Sequence, residues 1–190
     1  MKKILTVAIG LVLSVSIYSQ DVWKLDKAHG KLGFGVTHMM LSEVEGMFKT
    51  FDVKVTTLKD DFTGAVIELT SDVSSIFTDN EARDKHLKSP DFFDAEKFQT
   101  LTFKSTELKK IDGKKYLLTG NLTMHGITRW IKLDVIFNGT AVNPNSKKTA
   151  AGFKITGTIN RSDFGIGGNI PTGVVSQEVE INANVEIIKG

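Results

Sequence analysis

The 190-residue sequence contains no cysteine, which excludes a disulfide framework and a lipid anchor on an N-terminal cysteine. It has no Gly-x-Ser-x-Gly elbow either, so two common kinds of covalent nucleophile are missing. No apolar stretch after residue 19 is long enough for a membrane-spanning helix. Charge of one sign is not in excess: Lys2 and Lys3 account for the surplus of 24 basic over 22 acidic residues. A balanced domain offers no electrostatic reason to bind nucleic acid or an anionic membrane. Internal repeats, low-complexity tracts and linkers are absent as well, which points to one domain.

Two things are plentiful. Residues 1–19 join a basic start, Lys2-Lys3, to the uncharged apolar stretch Ile4 to Ile17, the pattern of a secretory signal peptide. Cleavage is expected at Ser19-Gln20, with Ser14 and Ser16 marking an alternative, and residues 20–190 are then a periplasmic or otherwise exported domain. No stable membrane insertion is expected of it. Twelve phenylalanines all lie beyond residue 19, against one remaining tyrosine, Tyr116. Phenylalanine has no polar handle, so these rings favour a dry core or an apolar cavity.

Period-two alternation dominates the domain. Leu32, Phe34, Val36 and His38 share one strand face. Val44 to Leu58 is extended, and the change of parity between Phe48 and Phe51 predicts a bulge or strong bend. Further strands are expected over Gly64 to Thr70 and Gln99 to Thr106. Asp112-Gly113 then makes a two-residue hairpin into Lys115 to Met124. His125-Gly126 reverses the chain into Ile127 to Phe137, and Asn143 to Lys148 is an exposed loop. Val179, Ile181, Ala183, Val185 and Ile187 form the clearest one-sided strand. About eight strands at hairpin spacing predict an all-β antiparallel barrel or sandwich. Gly46, Gly120 and Gly157 either leave room inside a barrel or let its strands coil.

One segment departs from the β pattern. Thr78 to Asp94 reads as a short helix, with Thr78 and Glu81 as a capping box and Phe77 and Ala82 as a staple. Glu81–Lys85 and Asp84–Lys88 are favourable pairs along it, and Ser89-Pro90 ends it. Phe92 and Phe93 follow, placed to close a barrel either as a fixed stopper or as a moving gate.

An ordered set of motifs carries a resemblance. Trp23-Lys24-Leu25-Asp26 with His29 is followed by Phe34-x-Val36-x-His38 and Gly46-x-Phe48. Arg83-Asp84-x-His86-Leu87 and Ser89-x-Asp91-Phe92-Phe93-Asp94 come next. Gly120-Asn121-Leu122-Thr123, Gly126-Ile127-Thr128 and Arg161-Ser162-Asp163-Phe164-Gly165 complete the set. Together they resemble the YceI-like family of exported polyisoprenoid-binding proteins, over essentially the whole domain. The resemblance implies an extended, lipocalin-like, eight-stranded antiparallel barrel with a short helical lid. Its apolar tunnel would take a long isoprenoid or similar amphiphilic lipid, with no cofactor, metal, nucleotide or catalytic apparatus. Gly30 and Trp130 depart from the family pattern, which commonly has serine and proline there.

Inward parity nominates Phe34, Val36, Phe48, Phe103, Leu133, Val135 and Phe153 as tunnel wall, with Phe92 and Phe93 at the closure. His38 continues an inward face, where it meets either a ligand headgroup or a backbone carbonyl. His29, His38, His86 and His125 fall on separate elements, without the close spacing of a metal site. Gly165-Ile166-Gly167-Gly168 lacks the strand-turn-helix context of a phosphate loop and reads as a flexible loop at a barrel mouth. Arg161 with Asp163, and Arg83 with Asp84, are expected to pair locally. The expected function is lipid sequestration without catalysis. An enzyme using His38 on a lipid-like substrate and a ligand-free structural protein with a filled barrel are the alternatives, and the sequence leaves a homodimer open.

Overall fold

The computed structural model describes residues 20–190; the expected signal peptide lies outside the described residues. Ten strand segments and one helix follow in order. They are β1 (Asp21–His38), β2 (Ser42–Phe48), β3 (Phe51–Thr57), β4 (Val66–Asp72), β5 (Ile76–Phe77) and α1 (Glu81–Leu87). β6 (Thr100–Asp112), β7 (Lys115–Met124), β8 (Ile127–Val142), β9 (Thr149–Asn160) and β10 (Glu178–Lys189) complete the chain.

These ten segments make eight ribbons. β2 and β3 are halves of one bent ribbon, pairing with the far and near parts of the long β1. The bend at Lys49-Thr50 keeps both Phe48 and Phe51 buried, 7 % and 9 % exposed, which is the parity change seen in the sequence. β4 and β5 are likewise split by a tight turn at Val73–Ser75 and pair with β3 and β2 in turn. Each ribbon is antiparallel to the next, and β10 pairs with β1 to close the sheet. The molecule is a closed eight-stranded antiparallel barrel with one helix. Closure leaves few unpaired strand edges.

Hairpin chemistry fixes the register. Gly113 takes a left-handed φ of 49° in the β6–β7 turn, where Asp112 pairs with Lys115. His125 and Gly126, at φ 51° and 73°, make the two-residue β7–β8 reversal. Up-and-down connectivity then sorts the loops to two ends. One end carries the turns after β1, β5, β7 and β9. The other carries the turns after β3, β6 and β8, with both ends of the barrel chain.

That second end is sealed by an aromatic plug. Phe62, in the β3–β4 loop, is 1 % exposed. Its ring lies 5.1 Å from Trp23, 5.4 Å from Phe137 and 5.1 Å from Phe153. The Tyr116 hydroxyl donates to the Asp61 carbonyl at 2.7 Å, and the Gly64 amide donates to Leu108 at 2.9 Å. These bonds tie the plug loop to the barrel wall. Burying such rings stabilises by roughly 1.5–3 kcal/mol each.

Candidate functional site

A cavity of about 510 Å³ runs from the plug to the opposite end of the barrel. Its wall is almost wholly apolar, because every ribbon sends alternate residues inward. Phe34, Val36, Phe48, Phe103, Leu133, Val135 and Phe153 all line it, together with Phe92, Phe93 and His38. The structure thus brings all ten sequence-nominated residues to one cavity. The whole inward row of β10, from Val179 to Ile187, also lines it. That row was visible as a one-sided strand, but alternation alone does not tell a cavity wall from a filled core.

Two glycines show how the lumen stays open. A Cβ on Gly46 would collide with the Phe34 ring, and one on Gly120 with the Phe103 ring. Each ring occupies the space that a side chain at the facing glycine would take, so glycine lets it pack against strand backbone. Gly30 has a similar use: a Cβ there would meet Leu25 at 2.9 Å and Phe51 at 3.1 Å. Trp130 faces outward and is 53 % exposed.

Only five described lining residues have polar side chains: His38, Thr78, Arg83, His86 and Arg161. None is acidic, and all belong to the end opposite the plug. Thr78 is buried rather than capping the helix; Asn80 is the cap, its side chain accepting from the Arg83 amide at 3.0 Å. The Thr78 amide and hydroxyl both donate to Asp84 Oδ1, at 2.8 and 2.6 Å. Arg83 donates through Nε to the Thr78 hydroxyl and through Nη2 to its carbonyl. The expected Arg83–Asp84 contact therefore runs through Thr78. Asp84, buried in this node, is turned away from the expected pairing with Lys88.

Arg161 holds the other side of this end. It is 5 % exposed, and it donates to five carbonyls, those of Ile166, Gly167, Ile170, Val175 and Ser176. It therefore does not pair with Asp163, contrary to the sequence expectation. Burial pushes its pKa below the ordinary arginine value, yet arginine stays charged at neutral pH. The glycine-rich stretch is a mouth loop, as expected, but one strapped to a guanidinium at successive points along its length. Lid and loop also join directly: the Gly167 amide donates to the Asp91 carbonyl at 3.0 Å.

Phe92 is 8 % exposed, its ring 4.9 Å from His86 and its edge against Gly167. Phe93 meets Phe48 edge-on at 5.8 Å. Val174 lines the cavity and is also 41 % exposed. The remaining histidines serve elsewhere. His125 bonds to the Phe164 carbonyl at 3.0 Å. His29 lies in a bulge of β1, 2.9 Å from Asp26 and 3.9 Å from Glu186, and is exposed.

A family model for the YceI-like domain matches residues 23–187. The chain belongs to the YceI-like family. A UPF0312 protein of Staphylococcus aureus (strain N315) is 41 % identical over 165 residues, covering 85 % of this chain and 94 % of that one. The Campylobacter jejuni YCEI protein is 34 % identical with a TM-score of 0.74, covering 87 % of this chain and 96 % of that one. Burkholderia cenocepacia BcnA is 25 % identical with a TM-score of 0.77, over 85 % and 98 % of the two chains. A polyisoprenoid binding domain from Saccharophagus degradans shares the fold at 15 % identity and a TM-score of 0.66, over 88 % and 98 %. The YceI-like barrel described above is thus the architecture of solved relatives as well.

Proposed function

We propose that this YceI-like protein is a non-catalytic carrier that sequesters a long-chain amphiphilic lipid, of isoprenoid type, outside the cytoplasm. The observation that carries the reading is the cavity: about 510 Å³, apolar along its length, plugged at one end and polar only at the other. Removing apolar tail surface from water is favourable by about 25 cal/mol per Å² and needs no bond to be made or broken. The tail occupies the lumen between Phe103, Leu133 and Phe153. The head stays beside His38, Thr78 and Arg83, where polar atoms meet it without a desolvated mismatch. A barrel of this fold from Saccharophagus degradans is named for polyisoprenoid binding, which makes isoprenoids the first class to test. The leader pattern of residues 1–19 supports export. The alternative, an enzyme acting on a lipid-like substrate through His38 with a nearby Asp or Arg, has Arg83 and Arg161 at this end but no acid among the described lining residues. A pH-dependent activity lost in His38→Ala while lipid binding survives would favour it.

The test is mass spectrometry of an organic extract from gently purified protein, paired with competition by an apolar fluorescent probe. A stoichiometric long-chain lipid and saturable displacement are expected. No co-purifying lipid together with unsaturable probe binding overturns the proposal.

A further inference from the structure

The turn between β1 and β2 holds three large apolar side chains out in water. Met39 is 53 % exposed, Met40 82 % and Leu41 84 %. Its backbone is left-handed at both central residues, with φ 51° at Met39 and 58° at Met40, and the Leu41 amide donates to the His38 carbonyl at 3.0 Å. Left-handed φ at two successive turn positions favours Asn and Gly. Neither turn geometry nor core packing accounts for methionine at both positions.

The surroundings of this tip are equally specific. Leu32 to Ser42 and Gly165 to Gln177 contain no Asp, Glu, Lys or Arg, although such residues make up 24 % of the sequence. Backbone bonds fasten these two uncharged segments together. The Met39 amide donates to Val174 and the Ser176 amide to Thr37, both at 2.9 Å, and His38 bridges to Val175. Val174 and Val175 line the cavity. The exposed tip is therefore continuous with the cavity wall along one side of the mouth, across two segments with no Asp, Glu, Lys or Arg. β2 pairs with β5 only at Met47 and Phe48, so among the described residues that edge has no strand partner from Ser42 to Gly46.

We propose that this tip is a membrane-docking wedge. Met39, Met40 and Leu41 insert into the interfacial layer of a phospholipid bilayer and seat the cavity mouth against hydrocarbon, so that a lipid passes between them without crossing water. The inference rests on the carrier reading above. A tip with flexible apolar side chains fits the deformable face of a bilayer, and two segments without Asp, Glu, Lys or Arg bring none of those charges with them when they sink there. Without basic residues in either of these two segments, docking through the tip does not depend on anionic lipid. Insertion is shallow; among the described residues no helix is long and apolar enough to cross a membrane.

Flotation of the purified protein with vesicles tests the wedge, using pure phosphatidylcholine and, separately, an equal mixture with phosphatidylglycerol. The protein is expected to float with both, to a similar extent and with little effect of salt. Met40→Ser/Leu41→Ser lowers the partition coefficient by about tenfold or more, a loss equivalent to at least about 1.4 kcal/mol. Met39→Asn/Met40→Gly suits the turn better, so it raises the melting temperature while still lowering flotation. Failure of the wild-type protein to float, or equal flotation of the variants, overturns the wedge. Loss of a concentration-dependent dimer in the variants, with flotation unchanged, overturns it in favour of a second copy of the chain. Lipid extraction from the same preparations separates the two readings. Bound lipid without flotation sinks the wedge alone, and flotation with neither bound lipid nor saturable probe binding sinks the carrier alone.

Discussion

Arg161 concentrates more hydrogen bonds than any other side chain described here, and all five end on carbonyls of the mouth loop or its junction with β10. Arg161→Gln keeps a polar side chain but cannot reach that many acceptors. Several buried carbonyls lose partners at about 1–3 kcal/mol each, so a loss of at least about 3 kcal/mol is expected in chemical denaturation. The Asp26–His29 contact gives a second prediction. Its bond to Asp26 raises the His29 pKa above the ordinary 6.5, with the charges of Asp26 and Glu186 adding to it. The same bond, helped by the Ala28 amide, holds Asp26 below 3.8. A raised histidine pKa stabilises below 6.5 and that contribution fades as pH climbs through the folded value. A depressed carboxylate pKa stabilises above 3.8 and fades as pH falls through the folded value. The melting temperature should therefore decline slightly as pH rises past neutrality, and His29→Ala should flatten that slope. An unchanged slope in the variant would remove His29 as its source.

Among the elements, the bend between β2 and β3 was legible because two aromatic residues changed parity across it. The helix was legible as well, but its cap was not. Thr78 and Asn80 both have the chemistry of a cap, and the choice turns on where Asp84 and Arg83 can reach, which depends on tertiary placement. The Arg161 strap was illegible for a similar reason: its partners are backbone carbonyls, which leave no trace in side-chain pattern. Phe62 was hidden differently, as one ring in a polar turn, Asp60-Asp61-Phe62-Thr63-Gly64, outside any periodic segment. The Thr78 node predicts how the lid behaves. Thr78→Val keeps the shape but deprives Asp84 and Arg83 of a shared hydroxyl, at a cost of about 1–3 kcal/mol. Lid opening should become easier, so that a bound apolar probe leaves faster in stopped-flow dissociation. A variant with normal dissociation would mark Phe92 and Phe93 as a fixed stopper.

For the molecule as a whole, the count of about eight strands and their inward rows followed from alternation and turn residues, whereas the choice between barrel and sandwich came from the ordered motifs. Whether the interior was full or open was not legible. It depends on where the Phe34 and Phe103 rings lie relative to Gly46 and Gly120, a matter of rotamers rather than of pattern. Ala183 offers a direct test at this scale. It sits on the cavity wall of β10, 6 % exposed, and Ala183→Trp would fill lumen rather than core. Strain from overpacking is typically about 1–3 kcal/mol, and free space beside the site should keep it at the low end. Folded protein that no longer carries lipid is expected, read by circular dichroism and by extraction. Undiminished lipid content would move the binding site elsewhere.

The Phe62 plug gives the barrel a dead end, and this sets an order of events. A chain molecule in a blind tube must load tail first, and whatever went in last comes out first. On the carrier reading proposed above, release then begins with the headgroup, so an acceptor meets the polar end before any of the tail is exposed. Opening the plug, by contrast, would turn a reversible store into a conduit with two directions of traffic.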